Sequence, residues 1–101
     1  MMYFVNLTLT GQETDYEPLH QAVKQMGPWS NRVASGYLVE STWSSVAIRD
    51  LVKPHLKDGD RVFVGEFIRN WAASGMGQDF PAWIGRRSFR EIPAKAGPSG
   101  S

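Results

Sequence analysis

The segment from Gly27 to Phe67 constrains the fold more than any other part of this 101-residue chain. Gly27-Pro28 ends whatever helix precedes it, because Gly accepts a left-handed cap and Pro cannot continue a helix. Trp29 to Ala34 is a β-prone stretch, Ser35-Gly36 a turn, and Tyr37-Leu38-Val39-Glu40-Ser41 the returning strand. Ser44 then stands as an N-cap for a helix whose apolar stripe is Ile48, Leu51, Val52 and Leu56. Pro54 ends or kinks that helix, since it lacks an N–H and crowds the carbonyl of Asp50. Asp58-Gly59-Asp60 is a turn, and Arg61 to Phe67 a further strand. Hairpin, helix and strand therefore follow one another in a fixed order.

The first 27 residues add one strand and one helix. Residues 2–9 combine β-formers with alternation, and Gly11 closes the pattern. Asp15 is a candidate cap, Pro18 lies in the first turn, and Tyr16, Leu19, Val23 and Met26 make one apolar stripe. The whole reads β-α-β-β-α-β. The expected class is α+β and ferredoxin-like, a four-stranded antiparallel sheet with two helices on one face. In the last strand Val62 and Val64 point one way and Phe63 the other. Apolar side chains on both faces predict burial on both sides, one against the helices and the other against a second subunit. A homodimer is the expected assembly.

From Ile68 the pattern loosens. Asn70 to Ala73 reads as a loop or a single helical turn, and Ser74-Gly75-Met76-Gly77 as a connector. Pro81-Ala82-Trp83-Ile84 predicts a short helical turn opened by Pro, and Ser88 to Ile92 a weak strand. One domain is expected over residues 1–93. The small, polar stretch Ala94 to Ser101 predicts a disordered tail.

Charge and composition narrow the chemistry. The net charge is +1, but residues 1–60 sum to −2 and residues 61–101 to +3. Arg86, Arg87 and Arg90 cluster in the basic part and are the candidate nucleic-acid-binding residues. There are no cysteines, which excludes disulfides and thiolate metal sites. His20 and His55 each lack a second ligand three or four residues away, so no metal or other cofactor is expected. No phosphate-binding glycine loop or nucleophile-elbow motif occurs. No apolar run is long enough to span a membrane, and the start has no basic segment followed by an apolar one. The expected location is the cytoplasm. Of the twelve aromatics, Tyr3, Trp29, Tyr37, Trp43, Trp71 and Trp83 are candidate stacking platforms, with core and interface packing as the alternative use, and the aromatic signature of sheet-type RNA-binding modules is absent.

Gly27-Pro28-Trp29, Tyr37-Leu38-Val39, Ile48-Arg49-Asp50, Lys53-Pro54-His55-Leu56 and Asp60-Arg61-Val62-Phe63-Val64 resemble the corresponding segments of small SinR-like bacterial and phage proteins. Those are similar to the compact CRISPR adaptation subunit and to VapD-type toxin ribonucleases. Arg32-Val33-Ala34-Ser35 resembles a hairpin segment of the CRISPR subunit. The resemblance spans roughly Tyr3 to Trp83. It implies a ferredoxin-like fold, a homodimer with sheets face to face, and nucleic-acid-related work in a mobile-element or defence setting. Nuclease-active members carry a metal-binding Asp at the end of the first strand, and Thr8 stands at that place here. A neutral hydroxyl cannot replace a carboxylate in holding a divalent cation. The expectation is a non-catalytic binding protein. The alternatives are a metal-dependent ribonuclease or deoxyribonuclease using a displaced acid, Glu13 or Asp15, and a protein–protein adaptor.

Overall fold

A computed structural model describes residues 1–91. The expected tail falls outside the described residues. Strand β1 covers Met2–Thr8 and helix α1 Glu17–Lys24. Strands β2, Trp29–Ser30, and β3, Gly36–Glu40, follow, then helix α2, Ser45–Val52. Strand β4 is Arg61–Phe67 and helix α3 Phe80–Gly85. The sheet is antiparallel throughout, in the order β2-β3-β1-β4. That is the ferredoxin-like order, with α1 and α2 on one face.

Alternation along β1 sets the layers. Tyr3, Val5 and Leu7 point toward α1 and α2. They meet Tyr16, Leu19, Val23, Tyr37, Val39, Ile48 and Val52 in the principal core. Register carries the same face outward, since Val5 lies opposite Tyr37 on one side and Val64 on the other. Gly36 is required where β3 crosses β1. A Cβ there would lie 2.1 Å from the Val5 carbonyl oxygen.

Local chemistry explains the element ends. The Ser44 hydroxyl accepts a hydrogen bond from Ala47 N–H at 3.1 Å and caps α2. Pro54 converts the chain after Val52 into a 3-10 turn over Lys53–His55. The turn at Gly59 takes a positive φ of 86°. Asp60 then ties three segments together. Its carboxylate accepts from Thr10 N–H and hydroxyl, both at 2.8 Å, and from the Tyr16 hydroxyl and Lys57 N–H, both at 2.7 Å. Burial acts to raise the Asp60 pKa, but these four hydrogen bonds outweigh it and hold the carboxyl well below the usual carboxylate range.

Four sequence expectations need correction. The strand over 29–34 keeps only Trp29–Ser30, and residues 31–35 form an irregular loop ending at Ser35, whose φ is 59°. Asp15 does not cap α1. A 3-10 turn over Glu13–Tyr16 precedes the helix, and Asp15 pairs with Lys57 at 3.2 Å. No strand forms over residues 88–91, and Ile92 lies outside the described residues. The outer sheet face is not wholly bare. Phe80 and Ile84 of α3 bury against Met2 and Leu38, with Phe4, Phe67 and Phe89 packed around them. Arg32 donates to the Met76 carbonyl at 2.9 Å and holds the connector before α3 to the 31–35 loop.

Candidate functional site

α3 covers only one end of the outer face. The other end carries Asn6 and Thr8 from β1 opposite Phe63 and Arg61 from β4. Phe63 is 64% exposed, and its ring lies over Gly65, which has no side chain to cover it. Arg61 is exposed two residues earlier on the same face. Thr8 is exposed at the strand end. The result is an open platform with one aromatic ring, one guanidinium and two neutral hydrogen-bonding side chains.

The three arginines named from the sequence lie together near α3 but are not equivalent. Arg87 stacks over Trp83 with its guanidinium carbon 5.2 Å from the ring centre, donates to the Trp83 carbonyl, and stands 3.7 Å from Glu40. Arg90 forms a two-pronged pair with Glu66. The Arg90 hydrogen bonds hold the Glu66 carboxyl below its ordinary pKa against the opposing effect of burial. Arg86 ends α3 and is exposed, and among the described residues it has no carboxylate partner.

A second arrangement sits on the helical side. A cleft of about 480 Å³ opens between α1 and the 31–35 loop. On its wall the His20 ring bridges two oxygens, with Nε2 2.7 Å from a Glu13 oxygen and Nδ1 2.6 Å from the Tyr37 hydroxyl. A carboxylate only accepts, so Nε2 carries the hydrogen, and in the neutral ring Nδ1 accepts from Tyr37. Burial, then the charges of Glu13 and Glu17, push the Tyr37 phenol above its usual pKa. The sequence offered His20 no second ligand three or four residues away, and its partners here are not at that spacing. Glu13 reaches His20 from the 3-10 turn that precedes α1, a junction that no helical spacing in the sequence announces. Tyr37 joins them only through the packing of β3 under α1.

The displaced acids considered for metal chemistry are separated. Glu13 is engaged with His20, and Asp15 with Lys57. Among the described residues no group of three or more His, Cys, Asp or Glu side chains is placed to hold a metal ion. No helix among them is long and apolar enough to cross a membrane.

Fold and surface together define an α+β domain of ferredoxin-like order with a third helix on half of its outer face. No protein-family model, curated protein or solved structure matches the chain.

Proposed function

We propose that the domain binds single-stranded nucleic acid on the open end of its outer sheet face. The observation that carries this reading is Phe63, an aromatic ring left 64% exposed on a strand of that face, with Arg61 beside it. Bases stack on such a ring whatever their identity, while a guanidinium holds the backbone phosphate. Asn6 and Thr8 add neutral donors at the same level of the sheet. The arginine cluster lies at the α3 end of the sheet, away from this platform, and Arg87 and Arg90 already neutralise Glu40 and Glu66 there. The resemblance to SinR-like proteins supports the same class of partner, and Thr8 at the strand end agrees with binding rather than metal-dependent cleavage.

Fluorescence anisotropy with labelled single-stranded RNA and DNA tests this. Phe63→Ala is expected to weaken binding by about tenfold, since a stacked base contributes about 1–3 kcal/mol. Added salt weakens it further through the phosphate contacts. Affinity unchanged in both Phe63→Ala and Arg61→Ala refutes the platform.

A homodimer is the second reading, favoured by the outer edge of β4, which has no neighbouring strand among the described residues. That seven-residue strand ends the sheet, and Val46, 55% exposed, flanks it beside Phe63. Pairing of β4 with β4 would cover both side chains. Light scattering distinguishes the readings: a dimer mass lost in Phe63→Lys supports the dimer, and a monomer at micromolar concentration refutes it.

A further inference from the structure

The hydrogen-bonded chain Glu13–His20–Tyr37 lies away from the sheet platform, and nothing in nucleic-acid binding uses it. We propose that its cleft is an acyl-transfer site in which Tyr37 is the nucleophile, His20 its base and Glu13 the residue that positions His20, acting on small uncharged carboxylic esters. A hydroxyl is a weak nucleophile unless a base within hydrogen-bond reach removes its proton, and that base needs a third group to fix its tautomer. Both contacts are present, at 2.6 Å and 2.7 Å. Tyr37 is 5% exposed, with its ring in the principal core, and it is one of the residues lining the cleft.

The existing hydrogen bond from the Tyr37 hydroxyl to His20 Nδ1 sets the order of events. The proton passes to His20 Nδ1 as the Tyr37 oxygen bonds to the acyl carbon. The carbonyl electron pair moves onto its oxygen. When the tetrahedral intermediate collapses, the bond to the alcohol oxygen breaks, and that oxygen takes the proton from Nδ1. The acyl-Tyr37 product is an aryl ester. Water attacks it with His20 again taking the proton, which then returns to the phenol oxygen. The sum is ester plus water to carboxylic acid plus alcohol, and no further reactant is consumed.

The walls select the substrate class. Leu7, Leu9 and Val33 give an apolar surface for a short acyl chain. Asn31 and Lys24 supply N–H donors on the lining. Glu13 and Glu17, whose charges are felt at Tyr37, disfavour an anionic ester. The cleft volume of about 480 Å³ suits a small ligand.

The test uses the full chain with 4-nitrophenyl acetate and butyrate, following nitrophenolate release and mapping the acyl group by mass spectrometry of quenched reactions. One acyl group on Tyr37 is expected. His20→Gln should lower kcat about 100-fold, the scale of a lost general base, and added imidazole should restore part of it. Glu13→Gln should lower kcat with KM little changed. Tyr37→Phe should abolish the acyl-protein. His20→Gln keeps Tyr37, so imidazole rescue reports the relay even if Tyr37→Phe folds poorly. Acylation confined to lysines, turnover no faster than in buffer, or full activity in His20→Gln overturns the proposal.

Discussion

Truncating Phe80 tests whether α3 is part of the folded domain. The helix has six residues and no side-chain cap, and helices of that length do not persist alone in water. Its hold on the sheet comes from Phe80, 6% exposed, and Ile84, 2% exposed, against Met2 and Leu38. Phe80 also meets the rings of Trp71 and Trp83 at 6.1 Å and 6.0 Å between centroids. Phe80→Ala removes a buried aromatic and leaves a void lined by these groups. The expected cost is about 3 kcal/mol, the lower end for buried Phe→Ala because a short terminal helix can partly close the gap. A typical domain has about 5–15 kcal/mol in all, so the loss is large. Urea unfolding followed by far-UV circular dichroism measures it, since Trp71 and Trp83 beside the site would confound fluorescence. Binding of a hydrophobic dye should rise as Phe4, Leu38 and Phe67 become accessible. A loss below about 1 kcal/mol, the range of surface substitutions, with no added dye binding would refute the docking of α3.

Ser44→Ala should cost about 1 kcal/mol by the same unfolding assay, because the Ala47 N–H loses its cap; no measurable change would remove the cap from the account. Gly36→Ala should cost about 1–3 kcal/mol, as overpacking does, since β3 must move away from the Val5 carbonyl; wild-type stability would refute that close approach. Asp60 has a lowered folded-state pKa, so its contribution is present above the ordinary carboxylate pKa near about 4 and is lost as pH falls toward the folded value. The stability gap between the wild type and Asp60→Asn should therefore be widest near neutrality and shrink below about pH 4. A gap constant from neutral to acid pH would show that the carboxylate charge is not what the four donors recognise.

The order of elements was legible because β1, α1, β3, α2 and β4 carry their own apolar patterns and their own punctuation. Gly27-Pro28, Ser44, Pro54 and Gly59 all act within a few residues of the boundary that they set. The outer face was half legible. Alternation in β4 announced an apolar face, but the cover came from Phe80 and Ile84, in a segment with too few residues to show a period. The hairpin is shorter than the sequence implies because Trp29 and Val33 look β-prone, while the bond from Arg32 to the Met76 carbonyl that shapes the 31–35 loop is non-local. The arginine cluster could be seen, but not its carboxylates: Glu40 and Glu66 lie far away in sequence and meet Arg87 and Arg90 only after the chain has closed. Likewise Glu13 and His20 meet across the junction of the 3-10 turn and α1, and Tyr37 arrives from β3.

The central place of β1 has a consequence for synthesis. Strand β1 is made before both of its neighbours, β3 and β4, and its partners extend to Phe67 opposite Met2. At about 5–20 residues per second, the roughly 60 residues that complete its pairing take about 3–12 s to appear. β3 is made about half-way through that interval, so the β1 edge that β4 covers is the one left unpaired to its end. The nascent chain therefore depends on late closure, and a pause in translation before β4 would lengthen the time in which β1 can pair with a neighbouring chain.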